Sequence, residues 1–249
     1  MPPDLPPEPA AGPGAPAEPE PLLLLDGVSR RYGDQTALHP IDLAVAPGEC
    51  VALMGPNGSG KSTLLRIAAG RDVPTTGSVS FAGRPLVEED LHARARIAVV
   101  ADSSGCYPDL TVREHLMLVA VGHGVADPRS WVDWALTDRR LDEKADALPS
   151  SLSSGQLQAL LLASALVRPR DLLVLDEPEQ RLDPGARRDL TRRICAETAD
   201  RVAVLLATHH TDIAREVAGR VILLEDGRVV ADGPPDDVLG ADRPPAGAR

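Results

Sequence analysis

Nine residues, Gly55-Pro56-Asn57-Gly58-Ser59-Gly60-Lys61-Ser62-Thr63, carry the plainest chemistry in the chain. Gly55, Gly58 and Gly60 let backbone N–H groups converge on an anion without a Cβ in the way, and a helix opening at the end of the run adds its positive dipole end. Lys61 can reach the β- and γ-phosphates of a nucleotide, and the Ser62 hydroxyl can ligate Mg²⁺. With this composition the pattern GxxxxGK[ST] arises by chance in roughly one chain per thousand. Lys61 is conspicuous because Lys144 is the only other lysine. A compact ammonium fits among phosphates where a planar guanidinium does not.

A second group is Asp176-Glu177, which closes the apolar run Leu172-Leu173-Val174-Leu175. Carboxylates at the C-terminal end of a strand lie where α/β folds bind ligands. Asp176 would hold Mg²⁺, and Glu177 could polarise an attacking water. A third is Leu152-Ser153-Ser154-Gly155-Gln156, ahead of the apolar stretch Leu157 to Val167. Alone it means an N-capped helix.

The elements that must position these groups alternate. Leu22 to Val28 and His39 to Val45 read as strands joined by Ser29 to Asp34, and a helix after the glycine-rich run ends at Gly70. Gly77 to Ala82 and Arg96 to Val100 are further strands. Thr111 with Glu114 forms a capping-box pattern, and Asp127-Pro128 is a second helix start. From Asp171 onward strands and helices alternate, with Asp226-Gly227 as a hairpin turn. The pattern predicts an α/β fold with a mostly parallel sheet covered on both faces and a helical insertion at about 103–155. The folded domain is expected over 22–239. Pro/Ala/Glu-rich residues 1–21 and residues 240–249 are expected to be disordered tails.

Composition narrows the partners. A net charge of −11 with no basic stripe argues against nucleic acid and anionic lipid. No signal-peptide pattern opens the chain, and no apolar run approaches the ~20 residues that span a bilayer. Cys50, Cys106 and Cys195 lack metal-ligand spacing and read as small buried hydrophobes. Trp131 and Trp134 are expected to pack the core of the insertion.

In that order and spacing, GPNGSGKST, LSSGQ and LLVLDEP resemble the Walker A, signature and Walker B motifs of the ABC-family ATPase cassettes. The resemblance covers Leu22 to Leu239. It implies a P-loop NTPase with an antiparallel β subdomain beside the parallel core, hydrolysing ATP with Mg²⁺. It further implies an ATP-sandwich dimer, with an identical or different second cassette, in which Ser153, Ser154, Gly155 and Gln156 of one subunit cap the ATP held by residues 55–63 of the other. Tyr32 matches the aromatic that stacks on adenine, Asp183 the D-loop aspartate that crosses the dimer, and His209 the switch histidine. Lys61, Glu177 and His209 are then the catalytic set, and Ser62, Asp176 and Asp102 the metal set.

Asp102 departs from the family pattern, which has glutamine at that position; a carboxylate there adds negative charge beside Asp176, Glu177 and the triphosphate. Ser154 replaces a glycine, Leu157 and Ala159 replace residues that are commonly basic, and Gln180 and Arg181 replace small ones. The resemblance implies the ATPase subunit of a transporter, cytoplasmic and peripheral on the inner face of the cell membrane through an integral permease. The short C-terminus is expected to go with export. The alternatives are a regulatory or slow ABC ATPase module and a soluble, non-transport ABC ATPase.

Overall fold

The computed structural model describes residues 20–87, 90–101 and 105–240, so the expected tails fall almost wholly outside the described residues. Two long antiparallel strands come first, β1 (Leu23–Tyr32) and β2 (Gln35–Val45). The sequence places a connection over Ser29 to Asp34, but the turn is only Gly33-Asp34, with Tyr32 already paired to Gln35 and Arg31 to Thr36. An antiparallel sheet solvated on one face tolerates such polar residues, so the strand outruns its apolar stretch. Then come β3 (Cys50–Met54), α1 (Lys61–Ala68), β4 (Thr76–Phe81) and the short β5 (Arg84–Pro85). The strands of this first sheet lie in the order β2-β1-β4-β5.

Helix α2 (Leu91–Arg96), unanticipated from the sequence, is capped by Asp90, whose carboxylate accepts from the N–H groups of His92 and Ala93, and leads into β6 (Ile97–Val100). Helix α3 (Val112–Gly122) begins at the Thr111–Glu114 capping box, and α4 (Pro128–Asp138) at Asp127. The remaining order is α5 (Ser154–Leu166), β7 (Leu172–Asp176), α6 (Pro184–Ala199), β8 (Ala203–Ala207), α7 (Thr211–Val217), β9 (Arg220–Glu225), β10 (Arg228–Gly233) and α8 (Pro235–Leu239).

The second sheet runs β10-β9-β3-β8-β7-β6. All its pairings are parallel except β10 with β9. Every residue of β3 is buried. Val51 and Leu53 face α1 and the antiparallel sheet, whereas Cys50, Ala52 and Met54 face α5, α6 and α7. Two-sided cover is why these strands read as unbroken apolar runs. A separate apolar cluster joins α3, α4 and α5.

Two expectations need correction. Cys50 is buried, but Cys106 is half-buried and Cys195 exposed. Trp131 is 43 % exposed and stacks edge-on against Trp134, with ring centroids 5.4 Å apart, instead of entering the core. Trp134 packs against the α3–α4–α5 cluster as expected and lies under the Arg193 guanidinium. Leucine and isoleucine make up the largest fully buried side chains, as the scarcity of aromatics requires.

Candidate functional site

Strand β3 delivers the glycine-rich run at its C-terminal end, and α1 leaves from it. Gly55 has φ 139°, and a Cβ there would lie 2.0 Å from the Leu224 carbonyl oxygen. Gly60, the N-cap of α1, has φ 103° and would drive a Cβ to 2.5 Å from Leu38. Side chains are thus excluded at both ends of the run. No side chain caps α1, which leaves its first N–H groups for an external acceptor. Lys61 is buried and bends back over the loop, donating to the carbonyls of Gly55 at 2.9 Å and Pro56 at 3.0 Å. Burial pushes its ammonium below the usual lysine range, against the opposing pull of Glu177 and Asp176.

A cleft of about 460 Å³ opens over this loop, and Tyr32, Asn57, Lys61, Ser62, Thr63 and Glu177 line it. Gly58 and Gly60 complete the loop side. The sequence did not anticipate two further contributors, Gln35 to Ala37 at the start of β2 and the Asp226-Gly227 turn. That turn is legible as a hairpin, but its arrival over the loop depends on the sheet order β10-β9-β3. Asp176 and Ser62 line a smaller adjoining cleft of about 260 Å³ with Arg66 and Arg71.

Glu177 follows β7 in the left-handed region, with φ 49°, and its N–H donates to the Ala207 carbonyl at 2.9 Å. Its Oε1 lies 2.6 Å from Nε2 of His209, and its Oε2 accepts from the Gln180 side-chain amide. His210 points elsewhere, its Nδ1 3.8 Å from Asp212. Asp102 belongs to residues 102–104, which lie outside the described residues.

The LSSGQ stretch sits apart from this cleft. Ser153 caps α5, its Oγ accepting from the Gln156 N–H at 3.3 Å while the Gln156 side chain accepts from the Ser153 N–H at 2.9 Å. Ser153, Ser154, Gly155 and Gln156 line a different cleft of about 490 Å³, together with Arg181 and Asp183. Asp183 caps α6, and hydrogen bonds from the N–H groups of Ala186 and Gly185 hold its carboxyl below the usual carboxylate range. The fold therefore joins Tyr32, residues 55–63, Asp176, Glu177 and His209 around the first region, and leaves residues 153–156 and Asp183 on another surface.

Residues 38–180 match the model of the ABC transporter family. The chain belongs to that family. Among curated relatives, the Nod factor export ATP-binding protein I of Paraburkholderia xenovorans is 38 % identical over 226 residues, covering 90 % of this chain and 74 % of that protein. The counterpart in Burkholderia thailandensis is 39 % identical over 214 residues, covering 85 % and 70 %. Among solved structures, an ATP-binding subunit of an ABC transporter superposes with a TM-score of 0.81 at 32 % identity, over 87 % of this chain and 91 % of that one. The ABC cassette MJ0796, a dimer in a post-hydrolysis state with ADP and Pi, gives a TM-score of 0.78 at 27 % identity, over 85 % and 98 %. The fold is that of the P-loop ABC ATPases, and this ABC cassette is an ATP-binding, ATP-hydrolysing subunit of a transporter. Among the described residues, no helix of the cassette is long and apolar enough to cross a membrane.

Proposed function

We propose that this cassette works as an ATP-sandwich dimer that drives a separate integral membrane permease in export. The observation that carries the reading is a separation: the phosphate loop and the Ser153 helix start line two clefts that share no residue. Each cleft offers half of what a triphosphate needs, so a second cassette would complete both. In this reading Tyr32 stacks on adenine, residues 55–63 hold the phosphates, Glu177 orients the attacking water and His209 meets the γ-phosphate. Ser153 to Gln156 and Asp183 act on the ATP of the partner cassette.

Mg²⁺ fits the donors present. Ser62 and Asp176 offer oxygen ligands on one wall of the smaller cleft, and no other carboxylate or imidazole lines it among the described residues. Two protein oxygens, with the rest supplied by phosphates and water, is the habit of Mg²⁺ in nucleotide sites. Bound there, Mg²⁺ would offset phosphate charge. Asp102 is proposed as a further ligand.

The relatives' names as export proteins support the outward direction, and attachment through a permease would place the cassette on the inner face of the membrane. Substrate choice would reside in the permease. Glu177→Gln with ATP should shift the purified chain from monomer to dimer in gel filtration with light scattering, and a persistent monomer counts against the sandwich. A slow or regulatory ATPase is the second reading. Asp102 and Ser154 support it, as does the Gln180 amide on Glu177, which competes with water for a carboxylate oxygen.

A further inference from the structure

Glu179 belongs to none of the nucleotide-binding motifs, yet it is only 1 % exposed, between half-buried Glu177 and exposed Gln180. One of its carboxyl oxygens accepts from the Thr208 hydroxyl, and the other is buried with no hydrogen-bond partner among the described residues. Thr208 immediately precedes His209 and is fully buried. Its Oγ1 also accepts from the His210 N–H at 3.0 Å, and its own N–H donates to the Leu53 carbonyl at 3.2 Å, one residue from the end of β3. Both residues flanking His209 are thereby tied down, and its Nε2 rests 2.6 Å from Glu177, two positions before Glu179.

Burying a carboxyl group with one oxygen unsatisfied costs stability, and an apolar side chain would fill the site at less expense. What the carboxyl adds is a side-chain oxygen acceptor that fixes where the Thr208 hydroxyl points. We propose that Glu179 is a positioning residue for ATP hydrolysis, holding Thr208 so that His209 keeps its imidazole on the Glu177 carboxylate. This inference rests on reading Glu177 and His209 as a working pair.

The test is steady-state ATPase kinetics on the full chain, with fluorescent-nucleotide binding measured in parallel. Glu179→Ala and Thr208→Val should each lower kcat about tenfold and leave KM within about twofold. The double variant should be no worse than the poorer single one. Glu179→Gln, which keeps an oxygen acceptor for Thr208, should recover most of the wild-type kcat. Wild-type kcat in both single variants overturns the proposal, as does additivity in the double variant, a loss confined to KM, or no recovery with glutamine. His209→Ala separates this failure from that of the underlying reading. If His209→Ala leaves kcat intact, the pair itself is wrong; if it lowers kcat while Glu179→Ala does not, only the positioning role is lost. Should Glu179→Ala fail to fold by circular dichroism, Thr208→Val decides.

Discussion

The guanidinium carbon of Arg30 lies 4.5 Å from the centroid of the Tyr32 ring. Asp72 locks the arrangement, pairing with Arg30 at 2.6 Å and accepting from the Tyr32 hydroxyl. One ring face is thereby occupied, and the ring lines the cleft over the phosphate loop. A cation–π contact of this kind contributes about 0.5–1 kcal/mol. Arg30→Ala should therefore weaken ATP binding about two- to fivefold, and Tyr32→Ala about tenfold or more. Titration with a fluorescent ATP analogue measures both, and kcat at saturating ATP should change little.

Lys61 tests the phosphate side. Its ammonium is held against the loop by the Gly55 and Pro56 carbonyls. Charge-assisted hydrogen bonds contribute about 1.5–3 kcal/mol each, so Lys61→Ala should weaken ATP binding about 100-fold. Lys61→Arg should fare nearly as badly, because the planar fork cannot follow the same path. Binding close to wild type in the arginine variant would remove the shape argument.

Asp102 is a prediction from sequence and electrostatics. On the family resemblance Asp102 adds a negative charge near Asp176, Glu177 and the triphosphate, so Asp102→Gln should hydrolyse ATP faster, by about threefold. An unchanged or lower rate across a Mg²⁺ titration would sink the idea.

A buried ion triad tests stability; two of its members, Arg170 and Glu197, line a cleft that shares no residue with the one over the phosphate loop. Glu197, 1 % exposed, takes two bonds from Arg170 at 2.6 Å and two from Arg193, the one from Nε at 2.8 Å. Burial pushes its carboxyl pKa up, but the hydrogen bonds and charges of the two arginines outweigh burial and hold it below the usual glutamate value. The stability this confers is present above the unfolded pKa of about 4.3 and is lost as pH falls through the lower folded value. Glu197→Gln should cost about 3–5 kcal/mol at neutral pH, a fall in Tm of about 10 °C. Its loss of stability below pH ~4 should also be shallower than that of the wild type, as thermal melts across pH would show.

Local chemistry was legible where chain order already sets geometry. Residues 55–63 run from the end of β3 into the first turn of α1 without a break, so spacing alone put Lys61 and Ser62 at one cleft. The Thr111, Asp127 and Ser153 caps were readable for the same reason. Features that depend on strand neighbours were not. Glu179 sits in a polar stretch that reads as surface, and its burial follows from the pairing of β7 with β8, which brings Thr208 beside it. Trp131 misled because helical spacing to Trp134 does not say which face turns inward.

The Asp226-Gly227 turn joins three distant segments through one residue. The Gly227 N–H donates to the Ser59 carbonyl at 3.1 Å, while its carbonyl accepts from the His39 N–H at 2.9 Å. A hairpin tip usually trades its amide hydrogens with solvent quickly, but this one is sealed between a loop and a strand. Its amide should exchange at the pace of the central strands, and the phosphate loop cannot move away from the turn without breaking the Ser59 bond.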